Sequence, residues 1–145
     1  LGDVYKRQEY AQATLKDIGI DVQVNNTSDH RTFAENGDFD VYVSSTTTAP
    51  TGDPEYFFTS TVVGSKNYGK YQNDEVTKLT EKLHQTFDKD ERGKLAVELQ
   101  QDILDDDAFF FVSHLNMGIV TKSNIKGMAA HPCDYYEITA DLDVE

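Results

Sequence analysis

The stretch DFDVYVSSTTTAPTGDPEYFF, from Asp38 to Phe58, constrains the fold of this chain more than any other. Apolar and polar residues alternate from Phe39 to Ser45, which predicts a buried strand. The chain then passes through hydroxyl residues to Asp53-Pro54, a pair typical of a helix N-cap followed by the first helical residue. Because ligands in open α/β sheets bind beyond the carboxyl ends of strands, we expect a ligand site at residues 45–52.

The segments before this stretch predict a parallel βαβ unit. A helix at Glu9–Ile18 ends at Gly19, where a C′ glycine belongs, and a strand at Ile20–Val24 follows. Ser28 is placed to cap a short helix to Glu35 that ends at Asn36-Gly37. The helix–strand–helix–strand order predicts two neighbouring parallel strands joined by a right-handed crossover.

The segments after it predict an irregular loop and then a helical hairpin. The loop is Thr59–Gln72, rich in Ser, Gly, Asn and Tyr. Asn73 caps a helix through Phe87, and Asp88 with Glu91 forms a capping box for a helix to Leu104. In the first helix the apolar residues Val76, Leu79, Leu83 and Phe87 recur at helical spacing. We predict that the two helices cover the sheet with Val76, Leu79, Leu83, Leu95, Leu99 and Ile103.

The last part of the chain predicts further strands. Ala108–His114 (AFFFVSH) is strongly apolar, and Met117–Thr121 is its expected partner across a turn near Asn116. Asn124–Gly127 predicts another turn, and Tyr135–Thr139 a short last strand. We expect residues 1–8, which lack the apolar core of a signal peptide, to be non-native or disordered. We expect residues 140–145 to form an exposed acidic tail.

Composition narrows the classes of partner. The 145 residues carry a net charge of −13, which argues against nucleic acid and against anionic membrane surfaces. No apolar run approaches the roughly 20 residues of a membrane span. One cysteine excludes an internal disulfide. We expect a monomer.

No catalytic or metal motif is visible. The sequence lacks the G-x-S-x-G elbow and the glycine-rich phosphate loops, so we predict that the chain is not an enzyme and needs no cofactor. Asp105-Asp106-Asp107 lacks the spaced ligands of a calcium loop. His114, His131 and Cys133 lack the spacing of a structural zinc site, so we predict no metal.

An ordered series of segments resembles a known family. The series runs KDIGIDV, NGDFDV, GDPEYFF, NYGKYQNDEVTKL, DKDERGKL and QQDILDDDA, and the resemblance extends from Glu9 to Thr139. It is similar to the C-terminal part of the extracellular solute-binding proteins of ABC importers, in the peptide, dipeptide and nickel-binding family. The resemblance implies an α/β fold of the periplasmic-binding-protein (type II) class, with a mixed sheet and flanking helices. The resemblance implies that residues 9–139 form an incomplete part of one of its two lobes.

The resemblance also implies a function. Such a receptor captures a small solute, a peptide or a metal chelate, outside the cell and delivers it to a membrane permease. It implies a periplasmic or extracellular location, with a lipid anchor on a preceding segment. Two departures concern the ligand: Thr47 and Pro50 stand where peptide binders often carry a Trp and an Asp. The loop Gly64–Asn67 lacks the His of similar nickel binders, although A-P-T-G-D-P and the later H-P-x-D-Y-Y resemble metal-chelate binders more.

We therefore expect the ligand to face the hydroxyl-rich loop at residues 45–51, which we call the hydroxyl loop, with two tyrosines as side walls. Threonine hydroxyls both donate and accept hydrogen bonds, and the loop carries no charge. The alternative is a small standalone α/β domain, a hydrolase or an interaction module, whose site carries no recognisable motif. The predicted ligand-binding residues are Ser45, Thr46, Thr47, Thr48, Pro50, Tyr68 and Tyr71.

Overall fold

The structure is a computed structural model that describes residues 2–114, 118–130 and 138–145, with side chains from residue 8 onward. It is mixed α/β but mostly helical, and it divides into two compact units, Leu1–Asp40 and Val41–Glu145. No helix within the described ranges is long and apolar enough to cross a membrane. The elements are α1 (Gly2–Asp17), α2 (His30–Asn36), α3 (Glu55–Phe57), a π-helix (Phe58–Val62), α4 (Asp74–Gln85), α5 (Lys89–Asp105), β1 (Ile125–Lys126) and β2 (Asp143–Val144).

The helices of the first unit end where their glycines predict. Gly19 has φ +86°, and the N–H of Ile20 donates to the Leu15 carbonyl at 3.0 Å, which is a Schellman end. Gly37 closes α2 in the same way, with φ +76°. The starts differ from prediction, because α1 begins at Gly2 rather than Glu9 and α2 follows Asp29 rather than Ser28.

The prediction of two neighbouring parallel strands is wrong. Neither Ile20–Val24 nor Phe39–Ser45 forms a β-strand in the part of the chain that the structure describes, so the predicted βαβ unit does not form. The Val22 carbonyl instead accepts a hydrogen bond from the Gln12 amide at 2.6 Å. Val41, predicted to be buried, is 81% exposed. Alternation is a local pattern, whereas a strand also needs a partner that supplies its backbone hydrogen bonds.

The predicted helical hairpin is confirmed. The Asn73 side chain accepts hydrogen bonds from the N–H groups of Glu75 and Val76, and Asp88 caps α5 through those of Asp90 and Glu91. Phe87 continues the helical spacing of apolar residues but is 91% exposed. The reason is local: α4 ends at Gln85, and Thr86 adopts an extended backbone that turns Phe87 away from the helical face.

A π-helix replaces the first part of the predicted irregular loop. The N–H of Val63 donates to the carbonyl of Phe58 at 3.0 Å, the wide i to i−5 spacing of this element. The turn after it needs a glycine, because a side chain at Gly64 would collide with the Thr59 carbonyl. The core of the second unit therefore joins the α3–π-helix segment to the hairpin, through Phe57, Phe58, Val62, Val76, Leu83, Leu95, Ala96, Leu99 and Ile103.

The C-terminal strands also differ from prediction. Ala108–His114 forms no strand, and Phe110 is 89% exposed, although Phe109 and Phe111 pack edge-on against Phe57. Residues 118–121 are irregular, while the predicted turn at Asn116, the strand start at Met117 and residues 135–137 lie outside the described residues. The sheet that does form pairs Ile125 with Val144, antiparallel, inside the predicted turn and the predicted acidic tail.

Candidate functional site

The predicted ligand loop is an exposed turn held at its carboxyl end. Ser45, Thr46 and Thr48 are exposed, Thr47 is half-buried and Pro50 is buried. The N–H of Gly52 donates to the Ala49 carbonyl at 2.9 Å, and Gly52 takes a left-handed φ of +80° that favours glycine. The loop therefore presents threonine hydroxyls to solvent above a buried proline.

The two predicted side-wall tyrosines lie in different surroundings. Tyr68 packs edge-to-face on Tyr42, with ring centroids 5.6 Å apart, just before the loop. Tyr71 donates its hydroxyl to Asp106 at 2.5 Å, and its ring packs against Phe109. Tyr68 is thus attached to the chain that leads into the loop, whereas the Tyr71 hydroxyl is committed to the end of α5. Their roles as side walls stay predictions.

Tyr71 and Asp106 form a polar junction between the 66–73 segment and α5. The Asn73 amide also donates to Asp106, at 2.7 Å. Burial, and then the hydrogen bond to Asp106, raises the pKa of Tyr71 to about 12. The same hydrogen bonds lower the pKa of Asp106 below its ordinary value. Asp106 thus serves as a hydrogen-bond acceptor within the fold.

A second polar cluster follows the loop directly, and sequence reasoning missed it. The Arg92 guanidinium of α5 contacts Asp53 at 2.7 Å and Glu55 at 2.8 Å. Asp53 also accepts the N–H of Glu55 at 2.9 Å, which is the hydrogen bond predicted for a helix cap, although α3 begins at Glu55 and not at Pro54. Glu55 in turn contacts Nδ1 of His84 at 2.6 Å. We call Asp53, Glu55, His84 and Arg92 the arginine cluster.

One signal in the sequence could have revealed this cluster. Arg92 lies near the N-terminus of α5, where the helix dipole disfavours a positive charge. A cation at that position calls for nearby carboxylates, and the G-D-P-E turn supplies two. The partners are 37 and 39 positions away along the chain, so periodicity could not have identified them.

The arginine cluster borders an open groove of about 710 Å³ between the 52–55 turn, the end of α4 and the start of α5. The exposed ring of Phe87 and the Lys89 side chain form the rest of its lining. The hydrogen bonds from Arg92 lower the pKa of Asp53, against the opposing effect of burial. They also lower the pKa of Glu55, with a smaller contribution from His84.

These pKa shifts predict that the cluster stabilises the protein less in acid. Carboxyls with lowered folded pKa stabilise the fold above their unfolded values and lose that contribution as pH falls through the folded ones. We expect the free-energy gap between the parent and Asp53→Asn to narrow as pH falls from about 5 to about 3. Arg92, His84 and Lys89 are the basic groups that border these two carboxyls.

Urea unfolding at a series of pH values measures this gap. Glu98→Gln, which removes the same formal charge at an exposed position of α5, is the matched control. A gap for Asp53→Asn that stays constant over this pH range contradicts the prediction.

The described residues include no group of three or more His, Cys, Asp or Glu side chains able to hold a metal ion. His114 is exposed, and His131 and Cys133 lie outside the described residues. In the second unit the hydroxyl loop and the arginine cluster adjoin each other, because Asp53 of the cluster directly follows Gly52 in the chain. Comparisons with protein-family models, with curated proteins and with solved structures find no match to this chain.

Proposed function

We propose that this chain is part of the solute-binding receptor of an ABC importer, which captures a peptide or metal-chelate solute outside the cell and passes it to a membrane permease. The observation that carries the proposal is the exposed hydroxyl loop at residues 45–51, held against the fold by the residues that follow it. Its uncharged hydroxyls suit neutral or water-bridged contacts with a solute. Charged groups of the solute would be held by another part of the receptor.

The packing of the segments that carry the family resemblance supports this proposal. Asp53 of the G-D-P-E segment meets Arg92 of D-K-D-E-R, and Tyr71 of N-Y-G-K-Y-Q meets Asp106 of L-D-D-D. Segments far apart in the chain thus form joint contacts in the second unit. Their residues hold the scaffold, which fits a receptor whose ligand contacts lie on loops.

Exposed apolar side chains favour a larger assembly over a standalone domain. Val41, Phe110 and Val120 are 81%, 89% and 98% exposed, and all three lie in segments with the apolar pattern of strands. A standalone α/β domain covers such segments with its own elements. The alternative, a small hydrolase or interaction module, would leave this exposure without an explanation.

Titration by NMR tests the proposal and detects weak binding. We expect short peptides or nickel(II)–histidine chelate to shift the amides of residues 45–51 with millimolar affinity, because contacts from another lobe are missing. Replacing Thr46 and Thr47 together by Ala should weaken that binding several-fold. Thr121→Ala, at an exposed threonine outside the loop, is the control and should bind like the parent.

Two results would count against the receptor. If neither probe shifts the loop amides at about ten millimolar, this loop is not part of the ligand site. Saturable turnover of a peptide or ester that a single Ser or His substitution abolishes would favour the hydrolase.

A further inference from the structure

We infer that Arg92 is a positioning residue for the hydroxyl loop: it acts through Asp53 to fix the carboxyl end of residues 45–52 to the helical hairpin. The starting observation is that every guanidinium donor is used inside the protein. A guanidinium has five N–H donors in a fixed planar fork. Nε donates to Asp53 at 3.1 Å, and Nη2 reaches both Asp53 and Glu55.

The remaining two donors hold the hairpin itself. Nη1 of Arg92 donates to the carbonyls of Leu83 at 2.8 Å and Thr86 at 2.6 Å. These carbonyls belong to the last turn of α4 and to the residue after it, and the Leu83 carbonyl also accepts the N–H of Thr86 at 3.2 Å. One side chain therefore joins the end of α4, the start of α5 and the 53–55 turn. No donor remains for a solute carboxylate, so Arg92 is a structural clamp and not a ligand anchor.

The residue that Arg92 holds, Asp53, directly follows the loop in the sequence. Asp53 follows Gly52, whose N–H closes the turn on Ala49. At the other end of the loop, Tyr42 packs on Tyr68. The loop is thus anchored on its amino side by an aromatic contact and on its carboxyl side by charge-assisted hydrogen bonds. Of the two anchors, the carboxyl one is the more directional, because the Arg–carboxylate fork fixes both distance and angle.

This arrangement restricts the conformations of the loop. Its relevance to solute capture rests on the proposed function. A loop held in one conformation binds with a smaller loss of conformational freedom than a mobile one. Releasing Asp53 from Arg92 would let residues 45–52 sample several conformations. The hairpin core, formed by side chains such as Leu83, Leu95 and Leu99, would keep its packing.

Nitrogen-15 relaxation tests this without any ligand. We expect order parameters of the 45–52 amides to fall from about 0.8 in the parent to below about 0.6 in Asp53→Asn, with α4 and α5 staying near about 0.85. Asp53→Asn is the sharp variant, because asparagine still caps the 53–55 turn and leaves the carbonyl contacts of Arg92 in place. In Arg92→Lys we expect the same loss, since an ammonium cannot reproduce the fork.

A spectroscopic signature separates positioning from general destabilisation. The Arg92 Nε–H resonance should exchange slowly with water in the parent and quickly in Asp53→Asn. Lys94→Met, at an exposed basic residue of α5, is the control and should leave both readouts unchanged. Unchanged loop order parameters in Asp53→Asn and Arg92→Lys would overturn the inference. This result is independent of the peptide and chelate titration, which alone decides the proposed function.

Discussion

Replacing Leu99 by Asp should lower the free energy of unfolding by at least about 3 kcal/mol, a large fraction of the stability of a small domain. Leu99 has no exposed surface and lies on the α5 face that packs against α4. A carboxylate at this position would be buried among apolar side chains with no partner for its charge. Urea unfolding followed by far-ultraviolet circular dichroism measures the loss.

Val97→Asp is the control for this variant. Val97 lies on the same helix but on its exposed face, so the same charge remains in water. We expect a change within about 0.5 kcal/mol. Equal unfolding curves for Leu99→Asp and the parent would mean that the buried face of α5 is wrongly assigned.

Phe58→Ala should cost about 3–5 kcal/mol, the usual range for removing a buried phenylalanine ring. Phe58 is the first residue of the π-helix, is buried and packs edge-to-face on Phe57. Its loss leaves a cavity where the α3–π-helix segment joins the hairpin core. Differential scanning calorimetry gives the change in unfolding temperature and enthalpy.

Phe87→Ala is the matched control, since it removes the same ring from an exposed position. The helical spacing of apolar residues favours burial of Phe87, whereas in the structure its ring is exposed to solvent. We expect a change within about 0.5 kcal/mol for Phe87→Ala. A larger loss for Phe87→Ala than for Phe58→Ala would restore the sequence interpretation and contradict the structure.

The ligand loop and the arginine cluster differ in how far the sequence predicts them. The loop could be proposed from residues 45–52 alone, because hydroxyls, a proline and a glycine follow one another in the chain. Its anchoring could not, because Arg92 reaches Asp53 from 39 positions away. A local pattern shows that a helix carries an arginine, but not which carboxylates fold against it.

Local sequence patterns predict the glycine stops of α1 and α2 and the helical hairpin correctly. The glycine stops at Gly19 and Gly37, and the caps at Asn73 and Asp88, lie where they were predicted. Three of the four buried residues of α5, namely Leu95, Leu99 and Ile103, were also predicted, whereas Ala96 was not. These features follow from hydrogen bonds and side-chain spacing within a few residues, so the local sequence contains the information that decides them.

Which alternating segments form strands, and which aromatic residues form the core, depends on contacts between distant parts of the chain. Among the described residues, Phe39–Ser45 and Ala108–His114 have strand patterns but are not β-strands, whereas Ile125–Lys126 pairs with Asp143–Val144. Phe58 is buried, whereas Phe87 is exposed although it continues the helical spacing of apolar residues in α4. The physical reason is that strand pairing and burial need a partner from elsewhere in the chain, and a local pattern states only that a segment could accept one.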